Sequence, residues 1–407
     1  MKYQKIKHKA ATPNTQQAVL QLLEHDICLP AALLKQQAIE HNIQWMQSFA
    51  NASGVLLAPH GKTSMTPWLF QQQLAAGAWG ITVATAYQAQ IAADAGAKRI
   101  ILANQLVGKA AMAVIARLQA SGIEVFVCVD HQDNTAALSD FFQAEQQVLP
   151  VLIELGVPGG RCGCRTNEQA MTLARQIAGL PGLALAGIEF YEGVINTTDT
   201  ARSISQFSQQ AAALCKAMFK QGLLQHSTLL ISGAGSAWYD IVATELAKAT
   251  VPTTMQIVLR PGCYISHDQG IYHQAQQAIV QRSKLAAKQG QSLVSALELA
   301  VYVQSLPENG LAILGFGKRD VAFDAGLPQA IALYRNGQLV SDQLQKCRTS
   351  KVMDQHAYWH YGANIEPEIG DIVLLGTSHP CLTFDKWRNL WLVDDNYNLL
   401  QTVETFF

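Results

Sequence analysis

A single lysine in a short turn is the first residue of this chain whose type and place suggest chemistry. The run Gly54–Ser64 reads Gly-Val-Leu-Leu-Ala-Pro-His-Gly-Lys-Thr-Ser, an apolar strand that ends in a polar turn carrying Lys62 beside His60 and Gly61. An amine at the mouth of a strand can form a Schiff base with a carbonyl cofactor such as pyridoxal phosphate. The same residue can equally be a solvated loop lysine, so other groups must decide. A small-residue loop lies at Ser232-Gly233-Ala234-Gly235-Ser236, and a His-x-Cys pair at His379 and Cys381. Glycines let backbone N–H groups approach a phosphate, and a helix starting near Trp238 would favour its charge. Imidazole and thiolate together suit zinc, and in an extended segment residues i and i+2 project to one side. Two ligands leave positions for water or substrate; the alternative is a buried cysteine beside a surface histidine.

These groups need a frame. Between residues 54 and 262, apolar runs recur at Val55–Ala58, Ile81–Ala84, Ile100–Ala103, Val125–Val129, Val151–Leu155, Leu185–Phe190, Leu229–Ile231 and Ile257–Leu259. Stretches of helical spacing separate them, such as Thr66–Ala76, Ala86–Ala95 and Ile204–Lys220. Continuously apolar strands alternating with helices indicate a parallel sheet, and eight of them predict a (β/α)8 TIM barrel. A doubly wound open sheet is the alternative, but it does not require eight repeats. Beyond Cys263, a helix-like stretch within Gln274–Gln304 precedes a β-rich region. There Asn336-Gly337 separates Ile331–Tyr334 from Gln338–Val340, a hairpin signal. Further runs follow at Ala312–Gly315, Asp371–Leu375 and Leu390–Val393. The expected division is a barrel over residues 27–265 and a C-terminal β-domain over 266–407, joined by residues 1–26 and carrying the His-x-Cys pair.

In a barrel, chemistry sits at the C-terminal ends of the strands, with phosphate held after strands seven and eight. Lys62 follows strand one, Ser232–Ser236 follows strand seven, and Arg260-Pro-Gly262-Cys-Tyr264 follows strand eight. Either loop alone reads as an ordinary tight turn; together they mark a phosphate site. Asn104 and Gln105 after strand three, Arg161 and Arg165 after strand five, and Tyr191 and Glu192 after strand six can orient a cofactor or simply cap helices.

Composition narrows the classes. The 407 residues are 49% hydrophobic and 14% charged, with a formal net charge of −1, and no block of like charge favours nucleic acid or an anionic membrane. No run reaches the ~20 apolar residues of a membrane span, and Met1–Pro30 shows no signal-peptide pattern. The eight cysteines form no disulfide or zinc-ribbon framework; Cys162 and Cys164 lack a matching pair. A cytoplasmic enzyme acting on a small molecule is expected.

The segments Pro59-His-Gly-Lys-Thr63, Gly159-Gly-Arg-Cys-Gly163, Tyr191-Glu-Gly193, Arg260–Tyr264, Gly317-Lys-Arg-Asp320, Asp354-Gln-His356 and Ser378-His-Pro-Cys-Leu-Thr-Phe-Asp385 occur in that order. The series resembles the D-serine dehydratase (D-amino-acid deaminase) family of fold type III pyridoxal-phosphate enzymes, relatives of alanine racemase and D-threonine aldolase, from about Ile27 to Arg388. The resemblance implies a barrel followed by a β-domain in a homodimer, with pockets near the dimer interface. It makes Lys62 the Schiff-base lysine and places His60, Arg161, Tyr191, Ser232, Gly233, Gly235, Ser236, Gly262 and Tyr264 around the cofactor. It also implies that His379 and Cys381 hold Zn2+ beside the substrate. Alanine racemases lack that pair, and D-threonine aldolases typically carry an aspartate where Cys381 stands. A thiolate favours zinc. The implied reaction is elimination of the β-hydroxyl of a D-amino acid to a 2-oxo acid and ammonia. Aldol cleavage of β-hydroxy D-amino acids, or cofactor storage without turnover, are the alternatives.

Overall fold

The central barrel strands of this chain are almost wholly apolar because both faces are covered. In the computed structural model, which describes residues 20–249, 252 and 254–407, every residue of Leu149–Leu155 and of Leu183–Phe190 is buried. Eight strands run parallel, in the order Leu56–Leu57, Met255–Leu259, Leu229–Gly233, Leu183–Phe190, Leu149–Leu155, Glu124–Val129, Arg99–Gln105 and Ile81–Val83. The first and last of that order meet at a seam: Trp79 donates its N–H to the Leu57 carbonyl at 2.7 Å, Thr82 to that of Pro59 at 2.9 Å, and His60 bridges to Thr82. The expected TIM barrel is the fold, with all eight strands where the apolar runs lie.

Two apolar layers hold it. Inside the ring, Ala58, Ile101, Phe126, Leu152, Ala186, Leu230 and Val258 form one cluster, a single residue from each of six strands and Ala58 just past Leu56–Leu57. Outside, strand residues such as Val127, Ile153 and Ile231 pack against the helices, including Pro67–Ala75, Ala86–Asp94 and Thr200–Lys220. No described helix is long and apolar enough to cross a membrane.

The chain divides into two compact units. The barrel unit contains residues 40–267, 271–294 and 404–407, and the other contains the described residues up to Ile39, Asp268–Gly270 and Ser295–Val403. The second unit is built on a mostly antiparallel sheet ordered Gln338–Ser341, Gln329–Arg335, Ile372–Gly376, Leu297–Glu308, Ala31–Lys35, Asn389–Val393 and Leu399–Glu404, in which Ala31–Lys35 runs parallel to Asn389–Val393. Its hairpin turns at Asn336 and Gly337, with φ of 47° and 74°, the left-handed pair that a tight two-residue turn requires. The strand Ala31–Lys35, read from sequence within the barrel span, ladders here with Leu297–Glu308 and Asn389–Val393. The helix expected within 274–304 is shorter than that: Ile271–Arg282 and Lys284–Ala287 are helical, whereas Leu297–Glu308 is a twelve-residue strand. Its run Leu-Glu-Leu-Ala-Val-Tyr-Val ladders with Ile372–Gly376, and this pairing overrides any helical spacing. Residues 1–19, joined to this unit in the sequence reading and read there as lacking a signal peptide, lie outside the described residues.

Candidate active site

The lysine turn begins at the barrel seam. After Pro59, the chain makes a single helical turn, Gly61–Thr63, which leaves Lys62 exposed between buried Gly61 and Thr63. The turn is fastened to the loop after strand eight, because His60 donates its N–H to the Pro261 carbonyl at 3.3 Å. Gly262 makes this closeness possible. A Cβ there would stand 2.6 Å from Thr63 Oγ1 and 2.7 Å from the His60 carbonyl oxygen. His60 Nδ1 is buried with no hydrogen-bond partner. Burial first, then the Lys62, Arg260 and Arg161 cations, push the imidazole well below its ordinary pKa, so it is neutral at pH 7.

The two loops expected to bind phosphate are stitched together. The N–H groups of Gly262 and Cys263 both donate to Ser236 Oγ, at 3.2 and 3.1 Å. Beside them starts the helix Tyr239–Lys248, whose N-terminus has no side-chain cap. Gly235 donates its N–H to Glu192 Oε1 at 2.8 Å and leaves no room for a side chain, since a Cβ would lie 2.9 Å from the Tyr191 ring. Ala234 between the glycines has φ 74°. An uncapped helix N-terminus beside cradle positions that exclude a Cβ fits a phosphate group.

Several expected contacts take a definite place. The Arg161 guanidinium lies 4.5 Å above the Tyr191 ring, so these two residues form one stacked unit against Gly235. Gly233 packs against the Phe190 ring, which a Cβ would meet at 2.7 Å. The Ser232 hydroxyl donates to the Val258 carbonyl at 3.0 Å and is spent within the sheet. Tyr264 is buried: its ring packs in the apolar core, its hydroxyl accepts from Gln73 Nε2 at 3.0 Å, and burial raises its pKa. Arg165 is likewise turned inward, donating to the carbonyls of Gly160, Arg161, Cys162 and Gly163 to shape its own loop.

A charged layer inside the barrel escaped the sequence reading. Cys128, Glu154 and Glu189, from strands four, five and six, bring ligand atoms within 4.8 Å of one another, and all three are buried. Arg260 donates to Glu189 Oε1 and, at 3.0 Å, to the Phe190 carbonyl; Gln105 donates to Glu154 Oε2 at 2.6 Å. Burial and the neighbouring Glu189 push Glu154 up to about 7. The signal available was spacing: Cys128, Glu154, Ser232 and Arg260 each stand two residues beyond an interior apolar residue of the same strand.

His379 and Cys381 belong to the second unit. The expected extended geometry is absent there. Pro380 is helical, with φ −65° and ψ −41°, and caps the short helix Cys381–Phe384. A side-chain hydrogen bond nevertheless joins the pair. His379 Nδ1 lies 2.8 Å from Asp324 Oδ2, and these bonds to Cys381 and Asp324 raise the imidazole pKa to about 9 against the effect of burial. The Asp324 loop is anchored where Ser378 Oγ donates to the Gly326 carbonyl at 2.6 Å. A carboxylate orienting an imidazole beside a thiol is a donor set that fits zinc. None of the eight cysteines is in a disulfide.

Residues 34–241 match the alanine racemase N-terminal domain, and residues 296–393 match a putative serine dehydratase domain. A D-threonine aldolase from an Arthrobacter species is 31% identical over 223 residues, covering 53% of this chain and 59% of that protein. A D-threo-3-hydroxyaspartate dehydratase from Delftia sp. (strain HT23) is 28% identical over 187 residues, 46% of this chain and 49% of that protein. The matches thus span only about half of each relative's length. The structure of a D-threonine aldolase from Filomicrobium marinum superimposes with a TM-score of 0.78 at 22% identity, covering 96% of this chain and 98% of that one. The chain belongs to the alanine racemase N-terminal domain family, the fold type III pyridoxal-phosphate enzymes.

Proposed function

We propose that this chain is a pyridoxal-phosphate- and zinc-dependent lyase. It would remove the β-hydroxyl of a D-amino acid such as D-serine or D-threonine, releasing a 2-oxo acid and ammonia. The observation that carries this reading is the imidazole–thiol pair of His379 and Cys381, braced by Asp324, in a chain that also carries the Lys62 turn. The matched serine dehydratase domain contains that pair, and the Delftia relative is named a dehydratase.

Lys62 would hold the cofactor covalently. The Gly233–Ser236 loop, tied through Ser236 Oγ to Gly262 and Cys263, with the uncapped start of Tyr239–Lys248, would hold its phosphate, and Tyr191 under Arg161 would flank it. Bound there, pyridoxal phosphate supplies an electron sink for the negative charge left when the α-proton departs. The Lys62 amine is the group to take that proton, and neutral His60 beside it adds no charge to oppose the amine's reprotonation. His379 and Cys381 would hold the zinc, which supplies Lewis acidity to a poor leaving oxygen. Racemisation would need a second acid on the opposite face, and the Tyr264 hydroxyl, engaged by Gln73 Nε2, is not assigned that role.

Aldol cleavage is the second reading, favoured by the 31% identity to a D-threonine aldolase. The products separate the two. We expect ammonia and a 2-oxo acid from D- but not L-β-hydroxy amino acids. Chelation should abolish this, and zinc should restore it better than manganese. Glycine and an aldehyde in place of ammonia would refute dehydration.

A further inference from the structure

The turn that presents Lys62 is closed by the N–H groups of Ser64 and Met65, which both donate to the Gly61 carbonyl, at 3.2 and 2.9 Å. Met65 then takes φ 43°, in the left-handed region, although it is neither glycine nor asparagine. A residue persists there only where its surroundings over-determine it. One constraint is its side chain, fully buried in the core between strands and helices. The other comes from the far end of the sequence: Phe406 donates its N–H to the Met65 carbonyl at 2.9 Å. Residues 404–407 group with the barrel unit, unlike the residues just before them, through Val403. The Thr66 hydroxyl, next in line, donates to the Ser64 carbonyl at 2.9 Å and leaves the Met65 carbonyl to Phe406.

We propose that the segment Glu404–Phe407 is a positioning strut for Lys62, in which the Phe406 N–H holds the Met65 carbonyl and thereby fixes the Gly61–Met65 turn. The proposal rests on the reading of Lys62 as the cofactor lysine. Phe406 acts through its backbone. Its N–H is therefore required and its ring, which is not fully buried, is not. Proline at 406 removes the N–H and leaves a buried carbonyl unpaired, whereas alanine keeps the bond.

The experiment uses the full-length protein incubated with pyridoxal phosphate. Borohydride reduction and peptide mapping of the wild type first locate the adduct, which should be on Lys62. Absorbance titration then gives the cofactor dissociation constant, and thermal melting reports global stability. Phe406→Pro should raise that constant about tenfold, equivalent to ~1.4 kcal/mol, while Phe406→Ala stays within about twofold of wild type. A chain ending at Val403 should behave like Phe406→Pro, which keeps the test valid if the proline variant folds poorly. A merely structural role would lower the melting temperature without separating proline from alanine in cofactor affinity. Wild-type affinity in both the proline variant and the shortened chain overturns the strut. An adduct on another lysine overturns the Lys62 reading, and the strut with it.

Discussion

Replacing Gly262 by alanine tests whether the lysine turn and the strand-eight loop work as one piece. The added Cβ would stand 2.7 Å from the His60 carbonyl oxygen, where ordinary contact begins at 3.4 Å, a shortfall of about 0.7 Å. Thr63 Oγ1, at 2.6 Å, can rotate away, but the His60 carbonyl is backbone and can move only with the turn. The turn must therefore part from the loop, stretching the bond from His60 N–H to the Pro261 carbonyl. Overpacking of this kind costs ~1–3 kcal/mol of stability. A displacement approaching 1 Å at a reacting group can cost ~100-fold in rate. Gly262→Ala should thus lose turnover and cofactor affinity out of proportion to its loss of stability. Gly179→Ala is the control, since its nearest neighbour lies at 3.5 Å and its φ is −97°. Turnover, cofactor titration and urea unfolding on both variants decide it. A Gly262→Ala protein with wild-type affinity and rate would refute the coupling.

Two further outcomes follow from the charged layer inside the barrel. Arg260→Met should cost ~3–5 kcal/mol in urea unfolding, because Glu189 is left buried without its cation; adding Glu189→Gln should recover part of this loss, and a wild-type midpoint for the single variant would contradict it. Glu154 titrates near 7 when folded against 4.5 as its ordinary value, so the folded state binds the extra proton between those values. The stabilisation from that proton is full below pH 4.5 and is lost as pH rises through about 7. Glu154→Gln should therefore melt higher than wild type above pH 7 and lose that pH dependence, as melting curves from pH 4 to 8 would show.

The barrel was legible in the sequence because each strand is covered on both faces and reads as an unbroken apolar run. Where a strand owes its place to a distant partner, the sequence was silent. Ala31–Lys35 has the same short apolar texture as a barrel strand, yet its partners are Leu297–Glu308 and Asn389–Val393, hundreds of residues away. The same holds for 297–304, whose helix-like composition gives way to strand pairing. The lysine, the glycine loops and the His-x-Cys pair were legible because they break the surrounding pattern. The surroundings of Tyr264 were not legible in that way: its place next to the loop says nothing of which way its ring points. The bond to Gln73, 191 residues away in sequence, decides that.

The charged layer was hidden by the strands that carry it. In Leu-Pro-Val-Leu-Ile-Glu-Leu, Glu154 looks like one polar interruption, and in Leu-Ala-Leu-Ala-Gly-Ile-Glu-Phe so does Glu189. Only the register makes them neighbours, with Leu152 opposite Gly187 and Glu154 opposite Glu189. An irregularity between Val151 and Leu152 shifts that pairing, so Glu189 stands three residues beyond interior Ala186 rather than two. Simple alternation therefore loses track of it. Once aligned, these residues form a ring of charge above an apolar plug, at the strand ends where Lys62 stands. A charge so buried persists only when paired, which Arg260 does for Glu189, whereas Glu154, bonded by the neutral Gln105 amide, holds its proton up to about pH 7. Beside these pairs, His60 Nδ1, Arg260 Nε, Glu189 Oε2 and Glu192 Oε2 are buried without a hydrogen-bond partner. Buried polar atoms rarely stay unpaired, so His60 Nδ1 and Arg260 Nε, the nitrogens among them, are where a polar ligand entering the barrel mouth has most to gain.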